Sequence, residues 1–194
     1  RLVLGVHFLI DVLTGWLAGT ILLLVYLWLE KSALPWLREQ KAGYLILLGG
    51  ALSVGIMIAG GVILLVNVGW QIPGEWIDNA ILASGEAPTP LDSASFISTS
   101  GALLGLAVGA VWLREKGWFQ AEGKLLEKIL RYVIGAAGVF ILWYGLGKVF
   151  PRTEDVSGIF LRYFRYALVG FWIAYGAPAA FWQLKIAKRS LAQP

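Results

Sequence analysis

Five runs of apolar residues, each long enough to cross a bilayer, constrain this chain more than any other feature. They cover approximately residues 5–29, 43–66, 96–113, 130–149 and 158–182. A transmembrane helix needs about 20 mostly apolar residues. Backbone polar groups inside a bilayer must be hydrogen-bonded within the protein, so each run is predicted to be an α-helix. The sequence therefore predicts an all-α integral membrane protein, a bundle of about five transmembrane helices.

The residue counts exclude several classes of function. The chain is 58% hydrophobic and 14% charged, whereas a soluble domain has about 25% charged residues. It contains no cysteine, which rules out disulfides and thiolate metal sites within this chain. Its single histidine is His7, so chemistry that uses two histidines must take the second from outside this chain.

The distribution of charge predicts which ends of the helices face the cytoplasm. Lysine and arginine are concentrated in the first and third connections and in the tail (Lys31, Arg38, Lys41, Arg114, Lys116, Lys124, Lys128, Arg131, Lys185, Lys188, Arg189). Residues 69–95 contain neither and carry four acidic residues. By the positive-inside rule the C-terminus is cytoplasmic, and five crossings then put the N-terminus outside. The basic pI thus follows from topology, and no nucleic-acid partner is expected.

Two shorter patterns concern packing and the membrane interface. Gly101, Gly105 and Gly109 form a stripe of small residues on the third run, which predicts close contact with another helix. Residues 124–129 alternate between charged and apolar side chains and are predicted to lie as a short amphipathic stretch at the inner interface. In the outer loop, helical spacing of apolar residues predicts a short helix (Ile72, Trp76, Ile77, Ile81).

The first run carries three residues suited to phosphoryl transfer. His7 and Asp11 are four apart and share a face of a helix, where the carboxylate can fix the imidazole tautomer. Arg1 has the planar fork that binds phosphate oxygens. Ionisable residues inside spanning helices indicate function by default. The alternative is a His–Asp contact that only holds helices together.

This pattern resembles the third signature of the PAP2 (phosphatidic acid phosphatase type 2) superfamily. The signature places five residues between an arginine and a histidine, and three between that histidine and an aspartate, as in Arg1, His7 and Asp11. The residues that follow are similar to this helix in bacterial members (Val12, Gly15, Trp16, Gly19). In the family a serine precedes the arginine, and that position falls before residue 1.

The resemblance implies a role for each of these residues. His7 would be the nucleophile that forms a phosphohistidine, Asp11 would orient it, and Arg1 would bind the phosphoryl group. No metal or cofactor is implied. The family's other signatures, Lys-x6-Arg-Pro and Pro-Ser-Gly-His, are absent from this chain. Residues 1–30 would then be the last core helix of a phosphatase domain, and 31–194 a C-terminal extension of four transmembrane helices.

A second group of basic residues lies near the predicted outer end of the fifth run. Arg162 and Arg165 alternate there with Tyr163 and Tyr166. Arginines at this depth can bind a lipid headgroup phosphate. They can also extend to the interface without binding a ligand.

The sequence therefore predicts a PAP2-type phosphatase that hydrolyses a lipid phosphomonoester or diphosphate. It would be a multi-pass protein of the plasma (inner) membrane, with its site facing the periplasm or exterior. Because the chain opens at Arg1 and lacks two signatures, we expect the natural polypeptide to extend upstream. The alternative is a non-catalytic structural or assembly subunit of a larger membrane complex. Membrane lipids are expected partners, whereas partner subunits and self-association stay open.

Overall fold

Long helices form most of the protein, as the apolar runs predict. The computed structural model describes residues 9–151, 153 and 155–190. The helices are α1 (Leu9–Glu39), α2 (Ala42–Val66), α3 (Gly74–Ser84), α4 (Ala94–Lys116), α5 (Leu125–Phe140), α6 (Leu146–Val149), α7 (Val156–Phe171) and α8 (Ala177–Gln183). Two π-helical turns join α5 to α6 (Ile141–Gly145) and α7 to α8 (Trp172–Gly176). Two short strands, β1 (Trp118–Phe119) and β2 (Arg189–Ser190), pair antiparallel.

Four helices in the described part of the chain are long and apolar enough to cross a membrane. They are Val12–Glu39, Ala42–Val66, Ala94–Lys116 and Leu125–Val149. This confirms the prediction of an all-α membrane protein. The fifth predicted span is also helical, from α7 through α8, but it carries Arg162 and Arg165 and is not among these four. Its crossing, and the side on which each end lies, stay predictions.

Two boundaries differ from those expected. Helix α1 continues to Glu39, so Lys31 and Arg38 lie in the helix rather than in a connection. The amphipathic stretch predicted at 124–129 is not a separate element, because Leu125 is the first residue of α5. Hydropathy marks where a chain can meet hydrocarbon, whereas a helix ends where its backbone hydrogen bonds end. The short helix predicted in the loop is found as α3.

The chain forms two compact units, residues 1–41 and residues 42–194. In the first unit, α1 exposes large apolar side chains on every face, among them Trp16, Leu22 and Trp28. A helix that is apolar all round is typical of a membrane span.

In the second unit α4 is the central helix, packed against α2 and against α7 with its π-helical turn. The predicted role of the glycine stripe is confirmed. A Cβ at Gly101 or Gly105 would overlap the backbone carbonyl of Tyr163 or Ala167, respectively. A Cβ at Gly170 of α7 would likewise overlap the carbonyl of Ala102. The backbones of α4 and α7 therefore touch, as small residues permit in membrane bundles.

One buried hydroxyl links α2, α4 and α7. The Ser53 side chain has no exposed surface, and its Oγ donates to the Ser100 carbonyl at 2.7 Å. Its oxygen also lies 2.7 Å from the Tyr163 hydroxyl. A serine hydroxyl has only one hydrogen, so Tyr163 is the donor of this second bond.

We expect Tyr163→Phe to lower the free energy of unfolding by about 1 kcal/mol, because it removes a hydrogen bond from a buried acceptor. Unfolding in mixed micelles of mild detergent and dodecyl sulfate measures the difference. Tyr132→Phe is the control, since Tyr132 is exposed and should change nothing. Equal losses in both variants would contradict the three-helix link.

The helices α5 and α7 are similar in sequence and shape. Each contains 16 residues, and each is followed by a π-helical turn of five residues. Aligned at their first residues, they share identities at Leu, Arg and Tyr near the start, at Ala and Phe further along, and at the Tyr-Gly that closes each π turn (Leu130/Leu161, Arg131/Arg162, Tyr132/Tyr163, Ala136/Ala167, Phe140/Phe171, Tyr144/Tyr175, Gly145/Gly176). Each π turn packs against the other helix, so the two are antiparallel. They form a pair of inverted, related helices.

Candidate functional site

The predicted catalytic residues lie at the edge of what the structure describes. Arg1 and His7 are outside the described residues. Asp11 lies in the first turn of α1. The assignment of these three residues to phosphoryl transfer therefore stays a prediction.

Within the described residues, the second predicted group of basic residues lines a cavity of about 260 Å³. We call it the arginine cavity. It lies where α4 and α7 begin and where the first π-helical turn follows α5 (Ala94, Ser98, Trp143, Tyr144, Arg162, Arg165, Tyr166). The structure thus brings Arg162 and Arg165 together in one site.

Local structure explains how these side chains converge. Arg162 and Arg165 are three apart on α7 and so share a face. The π-helical turn widens the backbone of its helix by one residue and changes the direction of the side chains that follow, and such turns occur often at functional sites. This turn supplies Trp143 and Tyr144. The neighbouring Gly147 leaves room for Arg165, because a Cβ there would lie 2.6 Å from Nη1 of that arginine.

The first turn of α7 is fixed by Asp155. Its carboxylate accepts hydrogen bonds from the Thr153 hydroxyl, from Ser157 Oγ at 2.8 Å and from the Gly158 amide at 3.0 Å. The bonds from Thr153, Ser157 and Gly158 lower the pKa of Asp155 to about 2. The carboxylate therefore stays charged at neutral pH and caps the helix that carries both arginines.

The aromatic wall of the cavity is held by contacts of its own. Trp143 Nε1 donates to the Tyr166 hydroxyl at 3.2 Å, and the Arg165 guanidinium lies 5.1 Å from the centre of the Tyr166 ring. Lys148 Nζ lies 4.6 Å from the centre of the Tyr144 ring. A third positive charge therefore lies next to a residue that lines the cavity.

The charges in the arginine cavity are not neutralised by the described part of the chain. No described carboxylate lies within ion-pair distance of Arg162 or Arg165. Arg165 Nε is buried and has no hydrogen-bond partner among the described residues. Guanidinium groups with aromatic and hydroxyl neighbours, and no acidic residue in the lining, suit the binding of an anion.

The sequence pointed to Arg162, Arg165 and Tyr166 of this cavity but not to the lining residues outside α7. Trp143 and Tyr144 come from a π-helical turn, which no periodicity in the sequence indicates. Ser98 lies in a run of three hydroxyl residues, of which Thr99 and Ser100 donate to carbonyls of their own helix.

Comparison with known proteins gives one match. None of the curated proteins or solved structures matches the chain. Residues 97–189 match the family model described as "PAP2 superfamily phosphatase, transmembrane extension". The matched segment contains nearly all of α4 and the whole inverted pair. Residues 97–189 are therefore similar to the transmembrane extension of PAP2 superfamily phosphatases, in agreement with the resemblance of the chain to that superfamily.

Proposed function

We propose that this chain is part of a PAP2-type membrane phosphatase that hydrolyses a lipid phosphomonoester or diphosphate. The observation that carries the proposal is the family match at 97–189. In a different segment of the same chain, Arg1, His7 and Asp11 resemble the third PAP2 signature.

The proposed reaction has two steps. An imidazole nitrogen of His7 attacks phosphorus, and the bond to the leaving oxygen breaks while Arg1 balances charge on the phosphoryl oxygens. The leaving oxygen takes a proton from the histidine of a Pro-Ser-Gly-His segment, which must come from outside this chain. Water then attacks the phosphohistidine and gives a proton back to that second histidine, and the phosphorus–nitrogen bond breaks to release inorganic phosphate and regenerate His7. Asp11 would hold the imidazole in the reactive tautomer throughout.

The proposed topology fits an amphiphilic substrate. The charge distribution puts Arg1 and His7 at the outer membrane face, where a lipid headgroup emerges from the bilayer. We therefore infer a multi-pass protein of the plasma membrane with its site open to the periplasm or exterior.

We expect His7→Ala in the natural full-length protein to lower kcat by about a thousandfold or more, because loss of a nucleophile removes the covalent route. The measurement is phosphate release from phosphatidic acid and from an isoprenoid diphosphate in detergent micelles. Leu24→Ala, an exposed position on the same helix, is the control and should retain activity.

Unchanged activity in His7→Ala would show that the nucleophile is wrongly assigned. A natural polypeptide without Pro-Ser-Gly-His and Lys-x6-Arg-Pro would instead favour the non-catalytic assembly subunit.

A further inference from the structure

The inverted pair, α5 and α7, has an arginine at the same position in each helix, so the two arginines can be compared. Arg131 and Arg162 occupy the same position in α5 and α7. The Arg131 guanidinium is buried and donates to four backbone carbonyls (Gln120, Ala121, Glu122, Glu127). Arg162 makes no such bond to the described residues and lines the arginine cavity instead. Arg131 therefore holds the fold together, whereas Arg162 has no hydrogen-bond acceptor among the residues that the structure describes.

The aromatic contacts follow the same relation. Trp143 of the first π turn donates to the hydroxyl of Tyr166 at 3.2 Å. Trp172 of the second π turn donates to the carbonyl of Gly135 at 3.0 Å, and Gly135 is the counterpart of Tyr166. Each π turn thus donates one indole hydrogen bond to the other helix at corresponding acceptor positions, although Trp143 and Trp172 are not themselves counterparts in the alignment. The donors of Arg131 are thus used by a backbone segment of the chain, whereas Arg162 lines the arginine cavity.

We propose that the arginine cavity binds the phosphate group of an anionic lipid through Arg162 and Arg165, which are not among the residues predicted to be catalytic. Two guanidinium groups without a described carboxylate partner need a counter-anion, because a half-buried unpaired charge is costly. The planar fork of each matches the oxygens of a phosphate. Nε of Arg165 is buried and lacks a hydrogen-bond partner among the described residues.

The surroundings of the cavity favour a lipid over free phosphate. A volume of about 260 Å³ accommodates a headgroup but leaves acyl chains outside, since pockets that enclose a whole small molecule are about 300–1,000 Å³. The wall formed by Tyr144 continues into Phe140, whose ring stacks on it at 5.1 Å and is more than half exposed. Phe140 and the exposed Ile141 therefore form an apolar path from the cavity along the outside of the helix.

The absence of cysteine from the chain allows a direct test. Ser98→Cys puts a single thiol in the wall of the cavity, and Ala187→Cys puts one in a cavity at the opposite end of α4. The full chain is placed in nanodiscs of phosphatidylcholine with or without dioleoyl phosphatidic acid. The rate of reaction with a small charged thiosulfonate is then measured for each thiol.

We expect phosphatidic acid to slow the labelling of Ser98→Cys at least tenfold and to leave that of Ala187→Cys within twofold. Adding Arg162→Gln and Arg165→Gln should abolish the protection, whereas Lys124→Gln with Lys128→Gln removes the same charge at the other end and should retain it. Inorganic phosphate at millimolar concentration should protect weakly, because it lacks the acyl chains.

Three outcomes would overturn the proposal. Protection that survives the loss of both arginines would mean that they only extend to the interface. Equal protection of both thiols would indicate a general effect of membrane charge. Protection by inorganic phosphate as strong as that by phosphatidic acid would assign the cavity to a soluble anion.

Folding of each variant is checked by its size-exclusion profile. The double variant Arg162→Lys with Arg165→Lys keeps both charges and is expected to show partial protection. None of these outcomes depends on His7, so failure here leaves the proposed phosphatase reaction standing.

Discussion

Replacing Gly105 by alanine should destabilise the second unit by about 3 kcal/mol or more, even though alanine is the better helix former. The added Cβ would overlap the carbonyl oxygen of Ala167 and approach the backbone nitrogen of Phe171 to 2.7 Å. No rotamer change can relieve a collision with backbone, so α4 and α7 must move apart. Overpacking costs about 1–3 kcal/mol where side chains can adjust, and separating two helices forfeits further contacts.

The loss of stability should depend on which glycine of the stripe is replaced. At Gly109 the nearest atom to a Cβ is the Cβ of Ala174 at 2.7 Å, and the nearest backbone atom is the Phe171 carbonyl oxygen at 3.2 Å, so the overlap is smaller than at Gly105. We therefore expect Gly109→Ala to cost less than Gly105→Ala. Gly55→Ala on α2 is the control, because a Cβ there meets nothing within 4 Å. It should be neutral or stabilise by up to about 1 kcal/mol through helix propensity.

Unfolding in mixed micelles, followed by circular dichroism, gives the three values under the same conditions. A Gly105→Ala variant as stable as Gly55→Ala would show that α4 and α7 are not in backbone contact. An equal loss at Gly105 and Gly109 would show that the depth of the overlap does not set the cost.

The glycine stripe also shows what the sequence could predict. Small residues repeated every four positions on an apolar helix have one common use, close packing, and the structure confirms it at Gly101 and Gly105. The helices themselves follow from apolar length, because a chain in hydrocarbon has few other ways to satisfy its backbone.

Features that depend on packing against another part of the chain could not be predicted from the sequence. The π-helical turns have no periodicity to mark them, since a π turn is one extra residue accommodated by packing. The Tyr-Gly pair at the end of each π turn is present in the sequence. Its correspondence between the two turns appears only when α5 and α7 are aligned. The sequence also classed Arg131 with the basic residues of a cytoplasmic loop, whereas the structure buries its side chain against a backbone segment.

Replacing Arg131 by methionine is expected to release the segment between α4 and α5. Its guanidinium donates to Gln120 O at 2.9 Å, Ala121 O at 2.9 Å and Glu122 O at 3.1 Å. Hydrogen bonds from a charged donor contribute about 1.5–3 kcal/mol each. The acceptor residues are exposed, so water can replace part of the loss. We expect a net cost of about 2–3 kcal/mol, together with loss of order in β1.

Hydrogen exchange separates this local effect from global unfolding. The Gln120 amide donates to Lys188 O at 2.9 Å where β1 meets β2, and it should exchange at least tenfold faster in Arg131→Met. Amides in the middle of α4 should keep their protection. Arg131→Lys should lose most of the same protection, because a single ammonium cannot replace a fork that reaches three carbonyls.

The matched control is Arg162→Met, at the equivalent position of the inverted pair. Arg162 makes no hydrogen bond to the described residues, so its loss should change neither the stability nor the exchange of β1. If both variants lost stability equally, the two arginines would share a structural role and Arg162 would have no donors to spare for a ligand. If only Arg131→Met lost stability, Arg131 would have a structural role that Arg162 lacks. One arginine then closes the end of the bundle near β1, and the other stays available at the arginine cavity.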